Sequence, residues 1–306
     1  MTLRGIFPVL PSPFDQNGDC DASAMVRLVD FAAACGVQGM VFPGFASEVS
    51  ELSADERQLL LSTVVKAAPE AMPVVAGASA ESVEAVVEYG QAARSLGVRH
   101  LMIQPPTKIG NAAAAVVEFM GAVASALPTM EIILQNAPAP RGSDIAPEAI
   151  VFVARVIPQV TYVKEETLPA GPAITHILSN APDTLKGVIG GGGARYILDE
   201  YGRGACAAMP ALEIADFHVA LDDAWRSGET AEARDVYVRT LPLLTLQALY
   251  RMRLTKHVLM RRGVLHNASV RARTPQLDKH AIADIDANLA ELDIVSGSQN
   301  ARSAAE

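Results

Sequence analysis

Short runs of apolar and β-branched residues recur eight times before residue 210: Gly5–Leu10, Gln38–Pro43, Met72–Gly77, His100–Pro105, Glu131–Gln135, Val160–Lys164, Leu185–Ile189 and Gly204–Ala208. Between them lie Ala, Leu, Val and Glu-rich stretches of helical period, such as Ala22–Cys35, Ala54–Lys66, Glu81–Leu96 and Ala113–Ala126. Strands that read as continuous apolar runs are buried on both faces, and strands alternating with helices make a parallel sheet covered by helices. Eight such units are what a (β/α)8 TIM barrel requires. A doubly wound α/β sheet is the alternative. Pro8 sits inside the first run, where it has no N–H to give a ladder, so it marks a bulge or the end of that strand.

After Pro210 the strand signals stop. Leu212–Arg226, Ala231–Thr240, Leu243–Arg262 and His280–Leu292 have helical period, with Gly228, Pro242, Gly263 and Pro275 as punctuation. The expected organisation is therefore a barrel over 1–210, a C-terminal helical extension packed on it over 211–295, and a polar, frayed tail over 296–306. Half of the 306 residues are apolar, which allows a core of that size.

Composition excludes several classes of function. The net charge is −9 with no block of Lys or Arg, and only 5% of residues are aromatic, so neither an electrostatic nor a stacking surface for nucleic acid is expected. No stretch approaches the length of a membrane span, and the N-terminal apolar run is broken by Pro8 and Pro11, which makes it a poor signal peptide. Cys20, Cys35 and Cys206 are odd in number and widely spaced, which argues for a reducing compartment; the cytoplasm is the expected location. The six histidines form no ligand pair, and no GxGxxG or GxxxxGK[ST] is present, so neither a metal nor a cofactor is expected.

In a (β/α)8 barrel, chemistry sits at the C-terminal ends of strands. There are six lysines, and of these only Lys164 lies late in an apolar strand run. Desolvation disfavours an ammonium ion and frees the amine as a nucleophile, which imine formation with a ketone needs. A structural ion pair with Glu165 or Glu166 is the competing explanation. The second strand leads into Ala46, Ser47 and Glu48, whose turn can hold a carboxylate, while Ser53 and Glu56 further on form a helix capping box. The fifth strand ends in Gln135 and Asn136, followed by Arg141, either a solvated residue or a partner for a substrate carboxylate. The seventh runs into four glycines including Gly190 and Gly191, a pattern suited to close backbone approach to a ligand or to anion binding at the helix start.

Taken together, these segments resemble the dihydrodipicolinate synthase / N-acetylneuraminate lyase family. The resemblance runs from Gly5 to about Leu292 and rests on PSPFDQNGDCD (11–21), GFASE (44–48), NAP (136–138), YVKEET (162–167), GACAAMP (204–210) and WRSGETAEA (225–233). It implies a (β/α)8 barrel with C-terminal helices, a homotetramer or homodimer, and Schiff-base chemistry on a 2-oxo acid at Lys164. It also implies a carboxylate site at Ala46–Ser47. The family's strand-five tyrosine is Gln135 here, its Thr-Thr pair is Phe45-Ala46, and its fourth-loop tyrosine is Pro106 or Thr107. Those departures remove the usual proton relay. They fit better the branch of 2-keto-3-deoxy sugar-acid dehydratases similar to L-2-keto-3-deoxyarabonate dehydratase, with Ser47, Glu48, Gln135 and Glu166 as available polar groups. Aldol condensation or cleavage using pyruvate, and a non-catalytic 2-oxo-acid-binding barrel, are the alternatives.

Overall fold

The computed structural model describes residues 2–294, so the expected frayed tail lies outside the described residues. Eight parallel strands alternate with helices in the (β/α)8 manner: β1 (Gly5–Ile6), β2 (Met40–Val41), β3 (Val74–Gly77), β4 (His100–Ile103), β5 (Glu131–Asn136), β6 (Val160–Glu165), β7 (Gly187–Gly190) and β8 (Ala207–Ala208). The helices between them are α1 (Ala22–Ala34), α2 (Ala54–Ala67), α3 (Val83–Ser95), α4 (Ala113–Ala126), α5 (Pro147–Val156), α6 (Ala170–Asn180) and α7 (Ile197–Gly202). Four more follow: α8 (Ala215–Arg226), α9 (Thr230–Tyr250), α10 (Met252–Arg261) and α11 (Lys279–Glu291).

The ladders are shorter than the apolar runs that announce them. β1 stops at Ile6, and Pro8 lies just past its end, where a missing N–H costs nothing. Helix starts follow their caps. Asp21 accepts from Ala24 N, Ser82 from Ala85 N, and Pro147 opens α5 at the position where proline fits. Ser53 and Glu56 exchange both bonds of the capping box that their spacing announces. The break expected at Pro242 is absent. α9 runs through it for 21 residues to Tyr250, and the chain turns at Arg251, which has φ 54°. Proline loses one helical hydrogen bond, but the buried Thr240, Leu243 and Leu244 around it keep that face packed.

Two compact units can be distinguished. One comprises 2–7 and Pro73–Met209, and its strands pair in the order β1-β8-β7-β6-β5-β4-β3. Leu101, Ile103, Ile132, Leu134, Val163 and Ile189 are among its fully buried residues. The other comprises Pro8–Met72 and 210–294, with β2, α1, α2 and α8–α11. There Val9 bridges in parallel to both Val41 and Ala211.

Candidate active site

Strand register builds the site in the first unit. Gln135 on β5 pairs with Lys164 on β6, and Lys164 with Ile189 on β7; one step on, Asn136 pairs with Glu165 and Glu165 with Gly190. Side chains alternate along a strand, so Tyr162, Lys164 and Glu166 share one direction and Glu165 takes the other. The two carboxylates after Lys164 therefore have different surroundings.

Glu165 is fully buried and structural. Its Oε1 accepts from Thr167 N at 2.7 Å and from Thr167 Oγ1 at 2.5 Å, and its Oε2 accepts from Asn136 Nδ2 at 3.0 Å. Burial pushes its carboxyl pKa up. Asn136 directs the rest of its amide to the following loop, donating to Ile145 O and accepting from Ile145 N, each at 2.9 Å. Asn136, expected to touch substrate, thus brackets residues 136–145.

Glu166 gathers the polar groups of the other face. Its Oε1 lies 3.3 Å from Lys164 Nζ, and its Oε2 accepts from Gln135 Nε2 at 2.8 Å and lies 3.5 Å from an Arg141 nitrogen. Burial works against this carboxylate, but Lys164, Arg141 and Gln135 outweigh it and hold its pKa down at about 2. The ion pair is thus with Glu166. Lys164 has 5% of its side chain exposed and has this one acidic partner among the described residues.

The glycine run serves this packing. A Cβ on Gly191 would collide with the Glu166 side chain, and one on Gly190 with the Glu200 carboxylate. Glu200, on α7, is 1% exposed and is held by a hydrogen bond from the Gly191 backbone. Its pKa is raised to about 8, by burial first and then by Glu166 and Asp199. Gly190 and Gly191 were expected to admit a ligand; the groups that approach them here are two glutamates of the chain itself. Sequence reasoning passes over Glu200, though an acidic residue on a short helix rich in buried side chains is an available signal. Arg141 was expected either in solvent or on a substrate, and its place beside Glu166 depends on loop geometry that no motif encodes.

Ala46, Ser47 and Glu48 lie in the second unit, in and just after a short turn over Phe45–Ser47. Ser47 Oγ accepts from Gly44 N at 2.9 Å and donates to Leu10 O at 2.5 Å, and Ser12 Oγ donates to Ser47 O at 2.6 Å. Ala46 is half-buried. Glu48 is sealed. Its Oε1 lies 2.6 Å from Lys256 Nζ, and its Oε2 accepts from Arg271 N and Ala272 N at 2.7 Å each. With its carboxylate engaged in this way, Glu48 fastens the 271–272 segment, a task different from the substrate contact expected of it. Lys256, equally buried, escapes a search of strand ends because it lies on a helix.

The model of the dihydrodipicolinate synthetase family matches residues 2–291. L-2-keto-3-deoxyarabonate dehydratase of Azospirillum brasilense is 30% identical over 280 residues, which is 90% of each chain. A 4-hydroxy-tetrahydrodipicolinate synthase of Salinibacter ruber is 30% identical over 255 residues, 80% of each. The crystal structure of dihydrodipicolinate synthase from Rhodopseudomonas palustris superposes with a TM-score of 0.88 at 24% identity, over 94% of this chain and 97% of that one. The fold is the TIM barrel with C-terminal helices, and the protein is a lyase of the class I, Schiff-base type. It belongs to the dihydrodipicolinate synthetase family. Among the described residues, no group of three or more His, Cys, Asp and Glu could hold a metal ion, and no helix is long and apolar enough to cross a membrane.

Proposed function

We propose that this lyase dehydrates a 2-keto-3-deoxy sugar acid through an imine on Lys164. The observation that carries the reading is Glu166, an ionised carboxylate 3.3 Å from the Lys164 amine, with Gln135 donating to it from the strand end. The 30% identity to an L-2-keto-3-deoxyarabonate dehydratase supports the same substrate class.

Lys164 Nζ adds to the C2 ketone and water leaves, giving a protonated imine. That cation acidifies the C3 hydrogens, and Glu166 takes one of them, leaving an enamine. The enamine pushes out the C4 hydroxyl, which departs as water with the proton that Glu166 returns. Tautomerisation and addition of water then release the product and the free lysine. The net change is the loss of one water. Gln135 and Arg141 hold the Glu166 carboxylate in place. A tyrosine relay is not required, because one carboxylate serves as base and then as acid. The reading also places the enzyme in the cytoplasm as a homotetramer or homodimer, on the strength of the family alone.

Borohydride trapping tests this. With 2-keto-3-deoxyarabonate, reduction is expected to leave a covalent adduct on Lys164, and turnover to yield a semialdehyde. Pyruvate as product would replace dehydration with aldol cleavage. Conversion of added pyruvate and an aldehyde would favour the synthase reaction. No adduct with either 2-oxo acid would leave only a binding barrel. Glu166→Gln should keep the adduct and lose about 10²–10⁴-fold in turnover.

A further inference from the structure

A cavity of about 550 Å³ in the second unit is lined by Arg253, Arg271, Arg273, Thr274 and Gln276, with no acidic residue in its wall. In a chain of net charge −9, such a wall is unusual. The three arginines are not equivalent. Arg271 is already engaged: it pairs with Glu56 at 2.7 Å, donates to Gly18 O and Glu51 O, and stacks over Phe14. Arg253 and Arg273 have no carboxylate partner among the described residues. Two residues of the wall also carry orphaned polar atoms: Arg253 Nε and Thr274 Oγ1 are buried without a hydrogen-bond partner, and a small turn of either side chain would bring them to a ligand. A buried donor left unmet is costly, and an acceptor-only ligand that met it would recover that cost.

The segment that presents these groups is held from behind. Glu48 accepts from the backbone of Arg271 and Ala272, and Lys256, bonded to Glu48, also donates to Ser269 O at 2.6 Å. Arg273 and Thr274 therefore project from an anchored backbone, so little ordering is left for a ligand to impose. Two unpaired guanidinium groups and an orphan hydroxyl match a compact oxyanion carrying two negative charges.

We propose that this cavity binds a small dianion, a phosphate or a dicarboxylate, through Arg253, Arg273 and Thr274. The site owes nothing to the imine chemistry assigned to Lys164. The test is isothermal titration of the full chain with inorganic phosphate and, separately, with malonate, at ionic strength held constant with sodium chloride. One saturable site is expected for at least one anion, and the tighter of the two identifies the ligand's chemistry. Arg253→Ala combined with Arg273→Ala should weaken it at least 30-fold, and Thr274→Val about 3–10-fold. Arg273→Ala alone removes only an exposed side chain and guards against misfolding of the double variant; it should weaken binding at least fivefold. Lys164→Ala should bind as the unaltered protein does. Absence of saturable binding by either anion, binding unchanged in the arginine variants, or binding lost in Lys164→Ala would each overturn the assignment.

Discussion

Lys164 with Glu166 and Lys256 with Glu48 are both buried lysine–carboxylate pairs, yet they are held in opposite ways. Lys256 is saturated. It has Glu48 at 2.6 Å, Ser269 O at 2.6 Å and the Phe14 ring at 4.1 Å, and 1% of its side chain is exposed. Glu48 in turn accepts from two backbone N–H groups. Lys164 has Glu166 at 3.3 Å, and the short contacts of Glu166 are with side chains from a strand end and a loop, its one backbone donor, Gly192 N, lying at 3.4 Å. A charge pair fixed by short bonds to backbone stays where it is built, whereas one fixed mainly by side chains at strand ends is freer to exchange a partner. Burial of a lysine therefore does not mark a nucleophile; what matters is how many acceptors it already has.

The largest effect that would break this contrast is on covalent chemistry. Lys164→Ala is expected to abolish the borohydride adduct and lower turnover by at least about 10⁴-fold, the scale of losing a covalent route. Lys256→Met should keep the adduct on Lys164. Peptide mapping after reduction reads both. An adduct found on Lys256, or turnover retained without Lys164, would reverse the roles given to the two pairs.

The next effect is on stability, and here the ranking inverts. Lys256→Met leaves Glu48 buried without its counter-charge and should cost about 3–5 kcal/mol. Adding Glu48→Gln keeps an acceptor for the Arg271 and Ala272 N–H groups and removes the stranded charge, so the double variant should recover much of that loss. Urea unfolding of the two variants and the parent measures it. A double variant less stable than Lys256→Met would mean that the carboxylate's charge is not what the lysine compensates.

The two pairs also differ in how far the sequence reveals them. The barrel is legible because strand and helix periods alternate eight times, and Lys164 because a lysine late in an apolar strand run is costly. Its neighbour Glu166 is legible by alternation. Glu48 reads as a substrate contact because its partners, Lys256 and Arg271, lie over 200 positions along the chain and nothing local announces them. Lys256 is invisible for a related reason. The pattern of α10 contrasts an apolar face with a polar one, and Lys256 falls with Arg253 and His257 on the polar side, yet residues 254–259 are all buried. Gly190 and Gly191 read as room for a ligand, and nothing in their spacing says that Glu200 and Glu166 are the groups packed against them. Pro242 suggests an end to a helix that packing carries through.

The last expected effect, which emerges only as pH rises, concerns Glu200, which links the glycine run to the Lys164–Glu166 pair. Its carboxyl is raised to about 8, by burial and then by Glu166 and Asp199, with Glu165 adding to the same direction. In the unfolded chain the group loses its proton near the ordinary value of 4.5. Between those two values the folded state holds the proton and the unfolded state does not, so stability falls as pH rises through this window. The contribution is complete below about pH 4.5 and exhausted above about pH 8. Glu200→Gln keeps an acceptor for the Gly191 N–H and cannot ionise. It should therefore melt within about two degrees of the parent at pH 5 and about 5–10 °C higher at pH 9. Thermal unfolding at the two pH values decides the matter. Parallel curves for parent and variant would mean that Glu200 is ionised in the folded protein, and that the negative charge of Glu166 is felt there far less than its burial implies.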